Sequence, residues 1–187
     1  MISNLIKFPG QIHLITNDKE LASVADKLNR ATELGFDTET RASFKKGEVY
    51  QVALLQLATD QDAFLIRLQR IGQFQVIKDI FQNPDVIKVG VAIRDDIKQL
   101  QKRFNFHPEN FVELQDLAKQ KKLENFGLKG MTEEILNAQL SKAAKISNWD
   151  AFELTDSQVM YAATDAWVGL ELFRRIRLMK EGSDAGT

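Results

Sequence analysis

Between Leu34 and Ile66 three strand-like runs follow one another through short connections, which favours an antiparallel meander. The runs are Leu34–Thr40, Tyr50–Ala58 and Ala63–Ile66, and Gly47 and the Asp60-Gln61-Asp62 stretch supply the turns. Antiparallel neighbours need only a tight turn, whereas parallel neighbours need a crossover of a dozen or so residues.

On either side of the meander the pattern becomes strand and helix in alternation. Gln11–Ile15 reads as a short strand, and Asn17 then caps a helix with Glu20 in a capping-box-like position and Leu21, Val24, Ala25 and Leu28 on one face. A helix from about Gln73 to Gln82 stops at Asn83-Pro84, Val86–Val89 forms a buried strand, and Arg94–Phe104 forms another helix. From Leu114 the pattern is mainly helical, and the last helix runs from about Thr155 to Met179 with Val159, Ala162, Ala163, Ala166, Leu170 and Phe173 facing inward. The expected fold class is α/β, a central mixed β-sheet of antiparallel meander plus parallel strands, flanked by α-helices.

With 187 residues, 44% of them hydrophobic, the chain has the size of one domain, expected over 1–180 with 181–187 as a flexible C-terminal tail. Cysteine is absent, which excludes disulfides, thiolate zinc sites and cysteine nucleophiles and fits a cytoplasmic location. No run approaches the roughly 20 apolar residues of a membrane helix, so no membrane association is expected, and no obligate protein partner is evident. The net charge of −1 offers no general attraction for a polyanion. A polyanion would need local positive charge, such as bound metal. His13 and His107 form no metal pattern, and neither a G-x-S-x-G elbow nor a G-x-x-x-x-G-K-[ST] loop occurs.

Three acidic features stand out. In Leu34-Gly35-Phe36-Asp37-Thr38-Glu39-Thr40, Asp37 and Glu39 project from one face of a strand and Thr38 from the other. Adjacent carboxylates on a partly buried face need a proton or a cation, and a divalent metal with oxygen ligands suits them; a solvated strand end is the alternative for an isolated D-x-E. In the second feature, Val89-Gly90-Val91-Ala92-Ile93-Arg94-Asp95-Asp96, a strand passes through a glycine into a helix. Asp96 falls in that helix's first turn, where Asp95 and Asp96 also suit helix capping. The third places Tyr161 and Asp165 one turn apart on the last helix, among alanines that allow close approach of a neighbouring backbone, or simply at a half-buried boundary.

In this order, FDTET, VGVAIRDDIKQL and YAATDA resemble the three exonuclease motifs of the DEDD superfamily, in the branch whose third motif carries Tyr. The segment Asn148–Thr155 resembles the Trp and Leu-Thr pattern of ribonuclease D and the Werner-type exonuclease domain, although Phe152-Glu153 stands where ribonuclease D typically has Arg-Pro. The resemblance covers about Ile12 to Arg177 and implies an RNase H-like fold. It further implies a stand-alone exonuclease domain that hydrolyses nucleic acid from a single-stranded 3′ end of DNA or RNA, releasing nucleoside 5′-monophosphates with two divalent ions, Mg2+ or Mn2+. In that scheme Asp37 bridges both metals, Glu39 and Asp165 complete the site that activates water, and Asp96 serves the second metal.

The chemistry is consistent: cations roughly 3.5–4 Å apart can promote both the attacking water and the leaving 3′ oxygen. Tyr161 would align the water, since a phenol with an unperturbed pKa near 10 is a poor base at neutral pH. Thr40, Ser43 and Phe44, just past the paired acids, are the candidate contacts to the terminal nucleotide, with Phe44 able to stack on a base. Lys45 and Lys46 could meet phosphate. The Lys119, Lys121, Lys122 and Arg174, Arg175, Arg177 groups read as solvated faces, and Trp149 and Trp167 as packing residues. Two other readings are a nucleic-acid-binding module with lost catalysis and a metal-dependent hydrolase of small phosphorylated molecules.

Overall fold

The computed structural model describes residues 4–180, so the expected tail at 181–187 lies outside the described residues. The strands are β1 (Gln11–Ile15), β2 (Glu33–Thr40), β3 (Val52–Ala58), β4 (Asp62–Arg67), β5 (Ile87–Gly90) and β6 (Phe111–Glu113). The helices are α1 (Asp18–Arg30), α2 (Gln75–Phe81), α3 (Ile93–Gln101), α4 (Leu114–Gln120), α5 (Leu128–Leu136) and α6 (Asp156–Leu178). The six strands form one mixed sheet in the order β1-β4-β3-β2-β5-β6.

The meander is present as expected: β2 pairs antiparallel with β3, and β3 with β4. Gly47 takes the left-handed backbone that its turn needs (φ 88°). Parallel pairing then extends the sheet on both sides, β1 beside β4 and β5 beside β2. The edge strand β6, parallel to β5, was not anticipated. It has three half-buried residues, too few to show a period.

Side-chain alternation separates two apolar layers. Leu34 and Phe36 of β2, Leu55 and Leu57 of β3 and Phe64 and Ile66 of β4 pack with residues of α1, α2 and α3, while Leu54, Ala58, Ala63 and Leu65 pack beneath α6. Gly35 is required here: a Cβ on it would lie 1.9 Å from the Ala166 carbonyl oxygen, so the α6 backbone rests directly on β2. The small residues Ala162, Ala163, Ala166 and Gly169 give α6 the narrow face for that approach.

Local signals set the ends of the key helices. The Asn17 side chain accepts from the Glu20 N–H at 2.8 Å. Thr155 and Gln158 form a reciprocal capping box at the start of α6, and Met179 ends it. Just before that box, Trp149 is buried against the Tyr161 ring, with centroids 6.0 Å apart, and Arg67 holds the Ala151 and Phe152 carbonyls. Trp167 packs edge-on against Phe8, so both tryptophans are packing residues. Among the described residues no helix is long and apolar enough to cross a membrane.

Candidate active site

Asp37 and Glu39 share the face of β2 that carries Gly35, and the close seat of α6 on Gly35 brings Asp165 over them. Carboxylate oxygens of Asp37, Glu39 and Asp165 all lie within 4.8 Å of one another. Tyr161, one turn earlier on α6, brings its hydroxyl beside Asp165. These groups line a cavity of about 340 Å³ whose wall also includes Gly90 and Lys145.

Mutual repulsion and loss of water shape the electrostatics. Burial, then the Asp165 and Asp96 carboxylates, holds Asp37 well above the ordinary carboxylate range. Glu39 is pushed up to about 10, chiefly by burial and then by Asp37 and Asp165. Burial raises Asp165 to about 7, against the lowering effect of the Tyr161 hydroxyl. The phenol of Tyr161 is itself raised further above its usual value, first by burial and then by Asp165, Glu39 and Asp37. Among the described residues no lysine, arginine or histidine forms a salt bridge with any of the three acids. An all-oxygen donor set in this state is matched to a hard divalent cation.

Asp96 arrives from the other side of the strand. Its carboxylate accepts the Thr38 hydroxyl at 2.8 Å, and burial, partly opposed by that bond, raises it to about 6. It is not within the three-acid group, yet it is near enough to raise Asp37 and Glu39. The helix-capping alternative for Asp95 and Asp96 is not realised: the Ala92 and Ile93 N–H groups donate instead to Glu113, at 2.8 and 2.7 Å. Ala92 adopts the left-handed conformation (φ 56°) to turn the chain from β5 into α3. Glu113 carried no local signal, because the helix it anchors lies some twenty residues earlier in the chain.

Gln56 was also unanticipated. It is fully buried, sits opposite Asp37 in the β2–β3 register, and its amide nitrogen is 3.4 Å from Glu39 Oε1. With the amide turned over, it would donate to the Leu54 and Asp37 backbone carbonyls at 3.3 Å. A lone amide within the apolar run VALLQLA was the available signal.

The expected substrate contacts are placed less uniformly. Thr40 is exposed, beyond a register shift at Glu39/Thr40, and Phe44 is 83% exposed. Ser43 donates its hydroxyl to the Lys45 carbonyl within its own loop, and Lys45 approaches Glu48 at 4.0 Å. A cavity of about 340 Å³ separates Phe44 and Arg41 from Ile146 and Asn148. The basic groups read as solvated faces are engaged elsewhere: Arg174 with Asp60, Arg177 with Glu33, Lys121 with the Met179 carbonyl. His13 pairs with Asp62 at 2.6 Å, far from any metal pattern.

Comparison with known proteins identifies the family and the fold. A family model described as 3′-5′ exonuclease matches residues 12–181. The bifunctional 3′-5′ exonuclease/ATP-dependent helicase WRN of Mus musculus is 32% identical over 181 residues, covering 91% of this chain and 13% of that protein. Among solved structures, the Nibbler EXO domain of Aedes aegypti superposes with a TM-score of 0.84 at 25% identity, covering 92% of this chain and 91% of that one. Ribonuclease D of Escherichia coli gives a TM-score of 0.82 at 26% identity, covering 90% and 44%. The fold is RNase H-like, as in these structures. The chain spans from 13% to about half the length of the curated relatives it matches.

Proposed function

The chain belongs to the 3′-5′ exonuclease family, and from that premise we propose that it hydrolyses the terminal phosphodiester at the 3′ end of a single-stranded nucleic acid, releasing nucleoside 5′-monophosphates. The reading rests above all on one observation: Asp37, Glu39 and Asp165 converge within 4.8 Å from a strand and a helix far apart in sequence.

Two divalent cations, Mg2+ or Mn2+, would be held by Asp37, Glu39, Asp165 and Asp96, with Asp37 shared. When bound, such a pair supplies the charge that promotes attack by water and stabilises the leaving 3′ oxygen. The protein's own groups do the rest. Asp37 and Glu39 are held in register by the β2–β3 pairing and Asp165 by the seat of α6 on Gly35. Thr38 holds Asp96 through its hydroxyl. Tyr161, its phenol raised away from ionisation, keeps its proton at neutral pH and can orient the attacking water but not deprotonate it. Phe44, exposed in the loop that follows β2, would offer a ring to the terminal base.

The test is digestion of 3′-labelled single strands, DNA and RNA in parallel, with magnesium and with manganese. The parent protein is expected to release mononucleotides stepwise, and Asp37→Ala to release none. Undiminished, metal-dependent digestion by Asp37→Ala would overturn the assignment.

A further inference from the structure

Beside the carboxylates lies a second cavity, of about 490 Å³, whose walls include Lys129, Lys142 and Lys145 together with Tyr161 and Asp165. Lys129 belongs to the first turn of α5, and the other two to the segment between α5 and α6. Lys145 and Leu128 also line the cavity that holds Asp37 and Glu39, so the two spaces adjoin at Tyr161 and Asp165. This space gives a strand end seated at the three acids a path out past these lysines.

All three lysines are exposed, and among the described residues none forms a salt bridge. Lys129 and Lys142 instead stand beside each other, and Lys129, with a smaller effect from Lys145, holds the Lys142 amine below its ordinary value, Glu133 being the opposing charge. By contrast, Lys27, Arg94, Arg174 and Arg177 are each paired with an acid. Ammonium groups gathered without a salt-bridge partner are stabilised by an anion placed between them. A polynucleotide must bring its phosphates toward four half-buried acids on a protein of net charge −1, so local positive charge is needed where the strand runs.

We propose that Lys129, Lys142 and Lys145 form a cradle for the sugar-phosphate backbone of the strand whose 3′ end occupies the carboxylate site. The cradle neutralises phosphates upstream of the bond to be cut and reads no base, because each lysine acts as a point charge on its flexible stem. This assignment rests on the exonuclease reading for the direction of the strand.

The experiment is equilibrium binding of a fluorescent single strand, as DNA and as RNA, by anisotropy in the presence of chelator, across a salt series. Lys129→Ala/Lys142→Ala/Lys145→Ala is expected to weaken binding about 10-fold or more and to reduce the slope of log K against log salt by about 2, near 0.7 for each lost phosphate contact. The corresponding triple arginine variant is expected to retain the parent slope. Lys19→Ala/Lys27→Ala/Lys78→Ala removes the same charge from α1 and α2, on the opposite face of the sheet, and is expected to bind as the parent does. Thermal melting checks that each variant folds. Parent-like affinity and slope in the first variant, or an equal loss in the α1/α2 variant, would overturn the cradle. Failure of the exonuclease reading shows separately, as absence of metal-dependent shortening by a protein whose binding still depends on the three lysines.

Discussion

Thr38 donates its hydroxyl to Asp96 at 2.8 Å, and through this bond the strand that presents Asp37 and Glu39 on one face holds the fourth acid on the other. Thr38→Val keeps the shape and removes the donor. Activity is expected to fall roughly 10- to 100-fold, since a hydrogen bond to a charged group contributes roughly 1.5–3 kcal/mol. Thr38→Ser should restore most of it. Steady-state digestion with both variants checks this, and parent-like turnover by Thr38→Val would remove the hydroxyl from the argument.

Metal-free stability should fall as pH rises. Asp37, Glu39 and Asp165 all have folded values above their unfolded ones, near 4 for free carboxyls, with Asp165 at about 7 and Glu39 at about 10. A raised group contributes stability that is fully present below its unfolded value and is lost as pH climbs through its folded value. Melting in chelator is therefore expected to decline from about pH 5 to about pH 9, and added Mn2+ to raise Tm more at the higher pH, where protons no longer compete for the oxygens. A chelated protein whose Tm rises across that range would contradict the assignment of these groups.

Gly35→Ala should separate the two halves of the site. Its Cβ would meet the Ala166 carbonyl at 1.9 Å, a backbone contact that only displacement of α6 relieves. A loss of about 1–3 kcal/mol, or more, in denaturant unfolding is expected, together with loss of activity, because Asp165 moves with α6. Parent-like stability and turnover would show that the helix does not depend on this seat.

Tyr161→Phe keeps the ring that packs on Trp149 and removes the hydroxyl. Turnover is expected to fall roughly 10- to 100-fold, with Mn2+-induced stabilisation retained. The alkaline limb of the pH–rate profile should not move, because in this reading Tyr161 orients the water and exchanges no proton with it. A shift of that limb would make Tyr161 a base.

Much of this architecture was legible in the chain. The meander followed from the spacing of its strands, and the start of α1 from Asn17 and Glu20. The start of α6 is likewise written locally, in Thr155 and Gln158. β6 was not legible, because three edge residues show no period. The placement of Thr38 opposite Asp37 and Glu39 was, since side-chain alternation in a strand is local geometry.

What the sequence determined by itself was which residues could form the site, through the order of the three motifs and the elements they occupy. Tertiary structure alone decided how they meet. Asp165 reaches Asp37 because α6 rests on Gly35, Asp96 is engaged by Thr38 and not by its own helix N-terminus, and Gln56 and Glu113 are brought in by strand register and sheet order. Period and capping act over a few residues, whereas these contacts join segments about 20 to 130 residues apart, and burial, which raises every one of the four acids, exists only once the chain has closed over them.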